Sequence, residues 1–127
     1  MMLPFDPRTG LIVVPALIYG PTGQIIARLA IDTGSTTSTL SRDMLDSLGY
    51  NVDDTIRDVR IITASGTDMA AQVQLTRIRV MSHEREQFSV LSYTLPESTT
   101  VDGVLGLDFF EGTRLTLDFG TGWMTLE

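Results

Sequence analysis

Apolar residues along this chain fall in short runs, separated by clusters of Gly, Pro, Asn and Asp. That rhythm predicts a mostly-β domain. Leu11–Tyr19 and Gln24–Ile31 are rich in Ile, Val and Leu, and Gly20-Pro21-Thr22-Gly23 supplies the turn between them. A short strand is predicted over Thr36–Leu40. Ser41 then reads as an N-cap, with Asp43 in the first turn and Gly49 as the stop. Met44, Leu45 and Leu48 give that segment one apolar face, enough for a short amphipathic helix. Thr55–Thr63 and Met69–Val80 predict a long hairpin around the small tip Ala64-Ser65-Gly66-Thr67.

Gln87–Leu91 reads as another strand, followed by a polar loop from Tyr93 to Thr100. Val101–Gly106 is an apolar strand running into glycine, and Leu107–Glu111 predicts one helical turn stopped by Gly112. Leu115, Leu117 and Phe119 alternate with Thr116 and Asp118, and Gly120-Thr121-Gly122 turns the chain into a last strand, Trp123–Leu126. Trp123 is expected in the core.

A length of 127 residues fits one domain, 1–127. With 43% hydrophobic residues the chain can bury a core. The net charge of −7, with no run of Lys or Arg, opposes binding to nucleic acid or to an anionic membrane. There is no cysteine, which excludes disulfides and thiol catalysis. Leu11–Tyr19 is too short to span a bilayer and is broken by Pro15; it also lacks the basic start and cleavage site of a signal segment. A cytoplasmic location with no membrane segment is the expectation. His83 is the only histidine, in the charged stretch Ser82–Glu86, and is expected to be a solvated turn residue. One histidine cannot build a multi-histidine zinc site or a Ser-His-Asp triad within one chain.

The chemistry concentrates in Leu29–Leu40, Leu-Ala-Ile-Asp-Thr-Gly-Ser-Thr-Thr-Ser-Thr-Leu. Asp32 follows an apolar strand directly and precedes a glycine turn, so its carboxylate is aimed out of a sheet edge with Thr33 and Ser35 beside it. A small-tipped hairpin comes some thirty residues later, and Asp102-Gly103-Val104-Leu105-Gly106-Leu107-Asp108-Phe109-Phe110 closes the series. In these three segments, taken in order and spacing, the chain resembles the retropepsin-like, single-domain aspartic proteases, particularly their bacterial members.

The resemblance implies an all-β acid-protease fold: a closed, barrel-like sheet with one or two short helices and a flap hairpin. It implies that Asp32 is the catalytic carboxylate, that Thr33 braces two active-site loops across a dimer, and that Gly34 allows the tight turn. Val104, Leu105 and Gly106 would pass beneath the loop and hold it rigid. Ala64, Ser65 and Gly66 would form the flap tip over a peptide or protein substrate, with Ser35 in the shell of the dyad. No cofactor and no metal is implied.

Such hydrolysis needs two carboxylates on one water, and two carboxylates that close share a proton, as aspartic proteases do in general. The chain carries a single Asp-Thr-Gly: Asp102 meets Gly103 directly and Asp118 sits in Asp-Phe-Gly. A two-fold homodimer giving Asp32 from each subunit meets the requirement. The Trp123–Glu127 strand and the apolar N-terminal segment are candidates for its interface. The Ser35 hydroxyl is expected to donate to the outer carboxylate oxygen. Two alternatives stay open: a non-catalytic peptide-binding or dimerisation module on the same fold, and an unrelated β-sandwich or barrel with a chance motif.

Overall fold

Ten strands and two short helices follow one another in a computed structural model that describes residues 1–51, 58–63, 66–96 and 98–127. They are β1 (Met2–Pro4), β2 (Val13–Gly20), β3 (Gly23–Ile31), β4 (Thr39–Ser41), α1 (Arg42–Ser47), β5 (Asp58–Thr63), β6 (Gly66–Val80), β7 (His83–Tyr93), β8 (Gly103–Leu105), α2 (Leu107–Phe110), β9 (Leu115–Asp118) and β10 (Trp123–Leu126).

The alternation of side chains explains the main sheet. β2 and β3 pair antiparallel from Val13↔Ala30 to Gly20↔Gly23, around Pro21 and Thr22. Val14, Ala16 and Ile18 on one strand, and Ala27 and Leu29 on the other, point inward and are fully buried. The sheet runs β2-β3-β8-β4-β7-β6-β5, and β6 also pairs with β2, so six strands close into a barrel. Closure leaves those six without a free edge. Phe109, Leu40, Leu45, Leu75, Leu105 and Met124 fill its interior. A second, three-stranded sheet, β1-β10-β9, joins the two ends of the chain. Among the described residues, no helix is long and apolar enough to cross a membrane.

Helix α1 starts as its sequence requires: the Ser41 hydroxyl accepts from the Met44 amide at 3.4 Å, and Met44 and Leu45 turn inward. Other elements depart from expectation. The segment 36–38 is irregular, and β4 begins only at Thr39. β7 begins at His83, four residues before the expected strand, because charged residues there line an exposed face opposite those of β6, with Arg77 facing Glu86 and Arg79 facing Glu84. His83 is therefore a half-buried strand residue whose Nδ1 is buried without a hydrogen-bond partner among the described residues, not a solvated turn residue. Trp123 is not core. It lies on the outer face of β10, 41% exposed, while Met124 and Leu126 turn inward.

One crossing positions the rest. β3 runs parallel to β8, with Ile31 beside Leu105; the chain then passes over the end of β8 and returns on its other side as β4, antiparallel, with Leu40 beside Gly103. The stretch 32–38 therefore straddles β8.

Candidate active site

Asp32 is the first residue beyond β3. Its amide donates to the Leu105 carbonyl at 3.0 Å, which extends the β3–β8 ladder by one bond and fixes where the strand stops. The Ser35 amide returns to the Asp32 carbonyl at 3.1 Å, making a tight turn, and the Gly34 amide donates to Asp32 Oδ1 at 2.9 Å. A carboxylate receiving a backbone N–H is both charge-stabilised and held in one orientation. Glycine suits this position, since a Cβ there would come within 3.2 Å of the same carboxylate oxygen. Asp32, Thr33 and Gly34 are exposed, and the Thr33 hydroxyl has no hydrogen-bond partner among the described residues. The tip of the loop is thus a rigid turn presenting one carboxylate to the surface.

The loop rests on Val104-Leu105-Gly106 and on α2. The Leu107 amide donates to the Ser35 carbonyl at 2.8 Å. Gly106 lies so close that a Cβ would stand 2.7 Å from the Ser35 carbonyl oxygen and 2.9 Å from the Thr37 carbonyl carbon. Gly103 is tighter still, with a Cβ reaching 2.1 Å from the Thr39 carbonyl oxygen. These two glycines let the strand slide between the limbs of the loop.

Ser35 departs from expectation. Its hydroxyl donates to the Thr37 carbonyl at 2.9 Å, so its single proton is directed along the loop and not to the Asp32 carboxylate. Of the expected flap tip, Ala64 and Ser65 lie outside the described residues; Gly66 opens β6 opposite Thr63, with a φ of 133° that favours glycine.

Two residues that the sequence did not single out tie the loop down. Ser38 is 1% exposed. Its hydroxyl donates to Asp108 Oδ1 at 2.7 Å and accepts from the Gly106 amide at 3.0 Å. The Ser38 amide lies 3.0 Å from both Asp108 oxygens, and the Phe109 amide adds a bond to Oδ1 at 2.9 Å. A signal was available: Asp108 is an isolated acid between Leu107 and two phenylalanines, where a carboxylate needs polar partners. Behind it, Arg85 donates to the Phe109 and Glu111 carbonyls and so ties β7 to the end of α2.

Beside the loop lies a shallow depression lined by Asp6, Leu11, Ile12, Ile31 and Phe119. Ile31 is anchored here by donating its amide to the Ile12 carbonyl at 2.8 Å. The Arg8 guanidinium bonded to Asp6 holds that carboxyl below its ordinary value of 3.8. Phe119 packs edge-on against Phe5 at a ring separation of 5.3 Å.

The model of one family, described as aspartyl protease, matches residues 14–109, a stretch that runs from β2 through the Asp32 loop to Phe109. The chain belongs to the aspartyl protease family. It is accordingly an aspartic-type endopeptidase by family. Among solved structures, the chain is similar to a retropepsin-like aspartic protease from Rickettsia conorii, at 17% identity and a TM-score of 0.75 over 99% of this chain and 88% of that one. At that identity the likeness speaks for the fold, which is retropepsin-like. No curated protein matches the chain. The expected barrel with two short helices is therefore the fold of this aspartyl protease.

Proposed function

We propose that two copies of this aspartyl protease hydrolyse a peptide bond with a water held between their Asp32 carboxylates. One observation carries the reading. A single carboxylate stands exposed on a turn fixed by its own backbone, at the end of a buried strand, with unused acceptor capacity facing outward.

Chemically, the ionised member of the pair takes a proton from the water while the protonated member donates to the scissile carbonyl oxygen. The water oxygen bonds to the carbonyl carbon. The resulting tetrahedral diol then collapses, the C–N bond breaks, and the departing amine receives a proton from the dyad. No bond to the protein forms. Thr33 would brace the paired loops, and Val104-Leu105-Gly106 with Ser38 and Asp108 would keep each Asp32 in place. Ala64, Ser65 and Gly66 would close over the peptide. Preorganised carboxylates of this kind act because their positions are fixed before substrate arrives.

The test is cleavage of an unstructured protein across roughly pH 3–7, comparing the wild type with Asp32→Asn. Asparagine retains an oxygen for the Gly34 amide, so the fold should persist while cleavage disappears. A wild type that binds peptide and dimerises through this loop but cuts nothing would favour a binding module.

A further inference from the structure

Farther up β3 from the Asp32 loop, three neighbouring strands set one row of side chains side by side. Leu17 of β2 is paired with Ile26 of β3 on one side and with Arg79 of β6 on the other. Ala16, Ile18 and Ala27 next to them in the chain are buried in the barrel, so this row stands on the outer face. Leu3 of β1, Pro15 and Met81 complete a groove of about 270 Å³ there. We infer that this groove is a second binding site, which takes the apolar carboxyl-terminal end of a cleaved peptide with its carboxylate on Arg79. The inference goes beyond the Asp32 chemistry and needs the family's activity only as the source of such ends.

Arg79 carries the argument. The chain has a net charge of −7, and its other described arginine side chains have acceptors. Arg8, Arg42, Arg77 and Arg114 meet carboxylates, while Arg28 and Arg85 meet backbone carbonyls. Arg79 has neither a hydrogen bond nor an ion pair among the described residues. Glu84 is its register neighbour on β7, but that carboxylate lies 3.5 Å from Arg77. An open guanidinium beside apolar side chains suits a planar carboxylate, which it can hold by two parallel bonds.

The rest of the groove calls for an apolar occupant. Ile26 is 69% exposed, and covering it removes apolar surface from water. Met81 holds a φ of 56°, a conformation that favours glycine, yet it is 9% exposed. Glycine would make that turn without strain but would remove a side chain that lines the groove.

Size narrows the choice further. A groove of about 270 Å³ is at the low end of ligand clefts and too small for a helix or a domain face. Adjacent strands lie about 4.8 Å apart, so Arg79 to Ile26 is about 10 Å across the sheet. Three residues of extended peptide span the same distance at roughly 3.3 Å each. The last side chain then covers Leu17, and the one two residues before it, on the same face, covers Ile26. Peptide hydrolysis adds a water oxygen to the carbonyl carbon and leaves a new carboxylate at every cut, where an uncut chain presents an amide.

The probe is acetyl-trileucine with a free carboxylate, titrated by calorimetry at neutral pH into the wild type and into Asp32→Asn. Both should bind it equally, and its carboxamide should bind about tenfold more weakly, the loss of a charge-assisted bond. Arg79→Gln should weaken the carboxylate about tenfold and leave the carboxamide unchanged, with Arg79→Lys recovering part of the loss. Ile26→Asp should weaken both ligands.

Equal binding of carboxylate and carboxamide, a comparison that needs no variant, overturns the inference. Indifference of the carboxylate to Arg79→Gln does so too, as does the absence of binding at millimolar peptide. Amide resonances that shift at 32–38 in place of Leu17 and Ile26 would put the peptide at the Asp32 loop and overturn it as well. Decanoate that binds here where trileucine does not would assign the groove to a lipid carboxylate instead. A wild type that cleaves no protein sinks the dyad reading and leaves each of these binding measurements to decide the groove.

Discussion

Ser38 Oγ lies 2.7 Å from Asp108 Oδ1, and the same hydroxyl accepts the Gly106 amide, so one buried group joins the return limb of the Asp32 loop to both β8 and α2. Asp108 in turn receives the Ser38 and Phe109 amides. Apart from the Phe109 amide, the polar atoms at this junction depend on a neighbour from another segment. Removing one leaves the others unpaired in a buried place, which costs more than the bond itself.

Ser38→Ala should therefore lower stability by about 1–3 kcal/mol, read from denaturant unfolding. Neither residue is expected to touch substrate, so kcat should fall with KM little changed. Asp108→Asn should show the same pattern more weakly, since its remaining carbonyl oxygen still accepts. An unchanged kcat in a destabilised Ser38→Ala would restrict the pair to a folding role.

Gly106→Ala places a methyl 2.7 Å from the Ser35 carbonyl oxygen, and that oxygen is backbone, which cannot swing aside. The loop must shift as a unit. Overpacking of this kind costs typically about 1–3 kcal/mol. A displacement approaching 1 Å at a reacting group is worth roughly 100-fold in rate. Melting curves and turnover should thus fall together, with the rate affected more severely than the stability.

Ser35→Ala tests the direction of a hydroxyl. Because Ser35 Oγ donates to the Thr37 carbonyl, its removal should leave the pH optimum of cleavage where it is and reduce stability only modestly. A pH–rate profile displaced upward would instead show that the hydroxyl turns to the Asp32 carboxylate when two loops meet.

Asp118 governs the turn that carries Phe119. The Thr121 amide and side chain, with the Gly120 amide, hold its carboxyl below the ordinary value of 3.8. A folded value below the unfolded one means the carboxylate binds fewer protons when folded. Its stabilising contribution is complete above about pH 3.8 and disappears as pH falls through the lower folded value. Thermal melts of Asp118→Asn should therefore lose less stability than the wild type over that acid range, and should converge with it at the bottom.

Much of this was legible because buried and exposed residues alternate plainly. β3 announces itself by Ile and Leu, and the single acid at its end stands out against them. Gly103, which opens β8, and Gly106, which follows it, were visible too, although their reason was not: only the crossing of the chain over that strand and its return as β4 explains why a methyl would strike the backbone of Ser35 and Thr37 at Gly106 and of Thr39 at Gly103. Three features hid. β1 is only Met2–Pro4, too short for a pattern, and its pairing with β10 is set by the far end of the chain. The start of β7 carries His83 to Glu86, whose charges suit an exposed strand face as well as a turn. Ser38 was one hydroxyl among several in a Ser/Thr-rich stretch, and nothing local distinguishes the one that becomes buried.

The passage of residues 32–38 over β8 also has a consequence in time. Ser38 and Asp108 are 70 residues apart, and the Asp32 amide waits for the Leu105 carbonyl across a similar distance. Contacts of such long range form slowly, since a large loop must close before any of them rewards it. During synthesis the Asp32 turn therefore has no floor until most of the chain has emerged. Newly made protein passes through a stage that holds its acid but not the frame beneath it, and the late docking of β8 is the step that sets the Asp32 loop in place.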